Sequence, residues 1–101
     1  MKNDIYSIIS TFSKEIRTGR KPKDVFLQVV EEVGELGKEI RVKYDPNYYK
    51  KGDEDGILGE SCDILIALID ILTIEGFSRE EIEETVLKKC IKWKKNNNRG
   101  E

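Results

Sequence analysis

The chain has 101 residues, 38% hydrophobic and 38% charged, with a formal net charge of −2, two cysteines and no histidine. That balance is too apolar for a disordered chain and too charged for a membrane protein, and the length holds one domain with one core. Without histidine, and with only Cys62 and Cys90, the zinc spacings and a disulfide framework are excluded, so a metal site has to be built from carboxylates, the ligands of hard cations such as Mg²⁺ or Mn²⁺.

The start, Met-Lys-Asn-Asp, leads into a charged amphipathic stretch rather than a secretion signal, so the expected location is cytoplasmic. Ile5, Ile8, Ile9, Phe12 and Ile16 recur at helical spacing and predict a first helix from about Asn3, a good N-cap, to about Arg17. Gly19 stops it, and Pro22 suits the first turn of the next. The second helix is expected from about Lys23 to Tyr44, with Val25, Val29, Val33, Leu36 and Ile40 as its buried stripe. Gly34 and Gly37 interrupt it at about 1 kcal/mol each relative to alanine, a cost that makes sense if another backbone approaches closely there.

Residues 45–55 read as a loop around Pro46 and Gly52. A third helix follows from near Asp55 to Gly76, a suitable C-terminal cap. Between Ile57 and Leu72 this helix is apolar around most of its circumference, so it needs neighbours on nearly every side. The longest nearly uncharged run, Ile64 to Ile69, falls far short of the roughly 20 residues of a membrane span. Ser78-Arg79-Glu80-Glu81 is a capping box that opens a fourth helix ending near Lys95. Phe12 and Trp93 are expected in the core. Four helices in so short a chain bury limited surface, which implies that a dimer or larger homo-oligomer completes the core.

The acids break the apolar pattern. Glu60, Asp63 and Asp70 are the only acids between Ile57 and Leu72, and they fall within about 80° on the helical wheel. Glu60 and Asp63 are i and i+3, where like charges repel by roughly 0.2–0.5 kcal/mol even in water. On a helix destined for burial, a cation has to neutralise them. Glu32 and Glu35 form a matching pair on the second helix, with Gln28 and Glu39 on the same side. Two antiparallel helices offering such pairs converge four carboxylates on one or two Mg²⁺ ions. Asp70, about 10 Å along the axis from Asp63, is expected as a polar end or partner contact rather than a ligand, and Glu31 faces solvent or lies behind the ligands.

Residues 88–101 carry six basic side chains against one acid, on a body that is otherwise acidic. A basic tail of this kind reads either as a nucleic-acid contact or as a solvated helix end that complements the helix dipole.

Glu31-Glu32-Val33-Gly34-Glu35, then 24 residues, then Glu60-Ser61-Cys62-Asp63, resembles the EExxE…ExxD pattern of the MazG-like all-α nucleotide pyrophosphohydrolases. That superfamily includes dimeric dUTPases, dCTP pyrophosphatases and phosphoribosyl-ATP pyrophosphohydrolases. The resemblance runs over roughly residues 24–99. It implies an all-α, four-helix bundle-like fold completed by oligomerisation, as a homodimer or homotetramer. It further implies Mg²⁺ held by Glu32, Glu35, Glu60 and Asp63, and hydrolysis of a (d)NTP to (d)NMP and pyrophosphate. Glu35 or Glu32 would act on the attacking water. The C-terminal Lys92, Asn96 and Arg99 match residues with which the family contacts substrate phosphates.

The loop that differs among members offers Tyr44, Tyr48 and Tyr49, with Lys50 and Lys51, either to stack on a base or to pack over a helix end or an oligomer contact. A phosphoribosyl-ATP substrate, and a non-enzymatic helical module that binds nucleic acid or protein, stand as alternatives. Nucleic acid is not the expected partner, nor is a membrane.

Overall fold

The computed structural model describes residues 4–16 and 19–98. It is all-α: α1 (Ile5–Glu15), α2 (Pro22–Tyr44), α3 (Gly56–Ile74) and α4 (Arg79–Asn97), with no strand among the described residues. The helix ends follow the local chemistry. The Asp4 carboxylate caps α1 by accepting from the Ser7 amide at 2.9 Å. Asn3, the expected cap, and Arg17, the expected helix end, lie outside the described residues. Pro22 opens α2 at the position where its missing N–H is not needed. Gly76 ends α3 with φ at 87°, a conformation that side chains other than glycine resist. The capping box forms as expected, with the Ser78 hydroxyl accepting from the Glu81 amide and the Glu81 carboxylate accepting from the Ser78 amide.

α2 and α3 run antiparallel and form the main interface, and α1 lies against α3. Val25, Val29 and Ala67 make the core between α2 and α3, backed by Ile64, Ile71 and Ile74, and Ile9 of α1 is buried as well. Two polar ties fasten the periphery. Asp70 is buried on α3, where it accepts from the Ser13 hydroxyl of α1 and from the Arg20 guanidinium that precedes α2. Arg79, at the head of α4, donates to the Ser7 hydroxyl at 2.7 Å, pairs with Asp4 and Glu83, and stacks on Tyr6.

Several sequence expectations are corrected. Asp70 is neither a polar end nor a partner contact but the centre of an ion pair within the chain. Val33 and Ile40 stand exposed on α2, because α1 and α3 reach only the Val25–Val29 side of that helix. Phe12 and Trp93 are exposed rather than core, Trp93 to 69%. An alanine methyl at Gly34 or Gly37 would meet no atom within 4 Å, so among the described residues no backbone approaches there.

α4 buries none of its residues, so one chain supplies three packed helices and an appended fourth, not a closed bundle of four. The radius of gyration, 16.5 Å, exceeds the roughly 13 Å of a compact chain of about this length for the same reason. No described helix is long and apolar enough to cross a membrane.

Candidate metal centre

Antiparallel packing of α2 on α3 brings the two acid pairs to one place. Glu32 of α2 and Glu60 and Asp63 of α3 offer carboxylate oxygens that all lie within 4.8 Å of one another. A second triad, Glu35, Asp53 and Glu60, satisfies the same limit. Glu60 belongs to both and is therefore the centre. The i, i+3 spacing on each helix sets two carboxylates per helix on the shared face, as the sequence required.

Glu60 is 6% exposed, and its Oε2 has no hydrogen-bond partner. A buried carboxylate oxygen without a donor is costly. The contact with Glu32, the loss of solvent and the charges of Glu32, Asp63 and Glu35 together push the Glu60 carboxyl up to about 7. A cation at this point would relieve the same repulsion that raises the carboxyl.

The second triad already has a cation. The Lys38 ammonium lies 3.2 Å from Glu35, 3.5 Å from Glu39 and 3.0 Å from Asp53. Hydrogen bonds to Asp53 and Glu35 hold this lysine well above the ordinary range. Glu39, 4% exposed, accepts the Asp53 amide and so fixes the loop to α2. Gly52 permits that approach, since a Cβ there would stand 2.8 Å from the Glu39 Oε1. The Glu32–Glu60–Asp63 triad has no such ammonium among the described residues. Hard oxygen donors, mutual repulsion and one orphaned buried oxygen make it a fitting site for Mg²⁺ or Mn²⁺.

The acids of the sequence reading are thus brought together, and Asp53 joins them. Helical spacing could not reveal Asp53, because it lies on a loop whose course depends on Glu39. Glu31 is exposed. Lys92 and Asn96 sit on the unburied α4, and Arg99 lies outside the described residues. The tyrosines gather at the far end of α2: Tyr48 lies under the Arg41 guanidinium at 4.0 Å and tilts against Tyr49 at 5.3 Å, while Tyr44 and Tyr49 are exposed. No protein-family model, curated protein or solved structure matches the chain.

Proposed function

We propose that the protein is a Mg²⁺-dependent nucleoside triphosphate pyrophosphohydrolase, releasing a nucleoside monophosphate and pyrophosphate. The observation that carries this reading is the buried, unpartnered Glu60 oxygen within reach of Glu32 and Asp63. Glu32, Glu60 and Asp63 would hold a divalent ion, which when bound would neutralise phosphate charge and make a water more acidic. Glu32, in contact with Glu60, is better placed than Glu35 to take that water's proton, because Glu35 is held in an ion pair by Lys38. Lys38 offsets the remaining negative charge of the centre.

Phosphate oxygens beyond the metal call for further cations, and the basic face of α4, with Lys92 and Asn96, is their source. Since α4 is unburied in its own chain, it serves the acid centre of another copy in a homodimer or homotetramer. The test is a panel of (d)NTPs and phosphoribosyl-ATP with Mg²⁺, read as monophosphate and pyrophosphate. Turnover of a panel member is expected, and silence across the panel refutes the reading. Glu60→Gln and Asp63→Asn are each expected to abolish turnover while leaving helical content intact.

The unburied basic α4 also favours a second reading, a helical module that binds nucleic acid. That reading requires affinity falling steeply with salt and a thermal stability indifferent to Mg²⁺.

A further inference from the structure

A largely apolar hollow adjoins the acid centre and shares Asp63 with it. It is a cavity of about 360 Å³ between α1, α2 and α3, within the size range of small-molecule sites. Asp63 stands at one end, and the Ser13–Arg20–Asp70 group at the other. Asp63 and Asp70 are two helical turns apart on α3, about 10 Å at 1.5 Å per residue. Between them run apolar walls, with Phe12 at the lip and Gln28 on the α2 side.

Two features distinguish this hollow from an unfilled gap in the core. Its far end is polar and ordered: Ser13 and Asp70 are both at least nine-tenths buried and are hydrogen-bonded to each other. Its lip carries an aromatic ring, Phe12, 54% exposed and contributing little to the core. An apolar slot with an exposed ring, a carboxamide and a polar floor suits a flat heterocycle with hydrogen-bonding edges. An acid centre at the near end suits the phosphates that such a heterocycle would carry.

We infer that this cavity holds the nucleoside part of the substrate, with the base stacked against Phe12, its edge toward Gln28 and the Ser13–Arg20–Asp70 floor, and its phosphates directed past Asp63 to the metal centre. The inference rests on the pyrophosphohydrolase reading for the phosphate end only. It moves base recognition away from the tyrosine loop to the opposite side of the acid centre. Phe12 and Gln28 become the residues that set affinity for the base. Both side chains are exposed, so their replacement leaves the folded core untouched.

The test uses the full chain with Phe12→Ala and Gln28→Ala. Calorimetric titration with a non-hydrolysable α,β-methylene nucleoside triphosphate and Mg²⁺ is expected to show binding weakened about tenfold in each variant, as loss of one stacking or hydrogen-bond contact implies. The thermal stabilisation by Mg²⁺ alone stays unchanged. Where turnover is measurable, KM rises by a similar factor while kcat is retained.

Three results overturn the inference: no analogue bound by the wild type, variants that bind it as tightly as the wild type, or weakening by Tyr48→Ala and Tyr49→Ala instead. A change in oligomer mass with unaltered binding also overturns it, since the cavity is then a seat for a second copy. Analogue binding through Phe12 and Gln28 with no turnover of any nucleotide removes the hydrolase reading alone.

Discussion

Glu60 concentrates the chemistry of this protein in one side chain. Its carboxyl is pushed up to about 7 from an ordinary value of 4.5, so the folded chain holds a proton across that window that the unfolded chain has released. Stability of the metal-free protein therefore falls as pH climbs from about 4.5 to about 7. Glu60→Gln is expected to flatten that slope in urea denaturation across the same range. Stabilisation by Mg²⁺ runs the other way, growing as pH rises through about 7, because the ion needs the deprotonated carboxylate. Asp63 is exposed, and no side-chain hydrogen bond or ion pair forms to it among the described residues. Asp63→Leu is accordingly expected to preserve or raise stability in metal-free buffer and to lose the thermal response to Mg²⁺. A marked loss of stability without metal refutes the view that Asp63 serves the ion rather than the fold.

The elements are held by different means. α2 and α3 are joined by the Val25–Val29–Ala67 core, whereas α1 adds one buried apolar side chain, Ile9, and a polar tie through Ser13. Burial pushes the Asp70 carboxyl up, but the Arg20 and Ser13 hydrogen bonds outweigh it and hold the group below its usual range. The stabilisation from that pair is present above the ordinary carboxylate value and is lost as pH falls through the lowered one. Asp70→Asn is expected to cost about 2 kcal/mol at neutral pH, the scale of a hydrogen-bonded charge, read as a lower urea midpoint with an unchanged slope. The head of α4 shows the opposite economy, a well-formed cap on a helix without a core. Ser78→Ala removes a contact of typically about 1 kcal/mol. Since α4 is unburied, the loss is expected as faster amide exchange at Glu81 rather than as a lower global midpoint.

At the scale of the whole molecule, the unspent apolar surface is the controlling fact. Phe26, Val30, Val33, Ile40 and Tyr44 share one exposed face of α2, with Gly37 among them, and α4 exposes Val86, Leu87, Ile91 and Trp93. Surfaces of this kind on a small chain mark interaction sites, and the homo-oligomer proposed above would cover them. Light scattering is expected to give at least twice the 11.7 kDa of one chain. If α4 serves a neighbour's centre, two inactive variants repair each other. Glu60→Gln keeps a sound α4, and Lys92→Ala keeps a sound acid centre. Refolding the two together is expected to restore turnover that neither shows alone. A mixture as inactive as its parts places Lys92 in service of its own chain.

Four helices, the Ser78 capping box, the Gly76 helix end and the two acid pairs follow from local rules, because hydrophobic spacing, capping residues and i, i+3 neighbours depend on the chain's immediate surroundings, although Asp4 rather than the expected Asn3 caps the first helix. The resemblance to the MazG-like pattern is carried by those same local signals. What spacing alone cannot give is which of several apolar faces finds a partner. Val25 and Val33 look equivalent along the sequence, yet one is buried and the other open. Asp70 continues the acid stripe of α3, yet its oxygens go to Ser13 and Arg20, residues 57 and 50 positions away. Asp53 enters the acid centre only because Glu39 pins its loop, and the cavity beside Asp63 exists only because α1 crosses α3 where it does. The amino-acid order determined the helices and the pairing of charges within each. Long-range packing decided which charges meet, because contact between residues far apart in the chain is set by how whole helix faces fit, not by their neighbours in sequence.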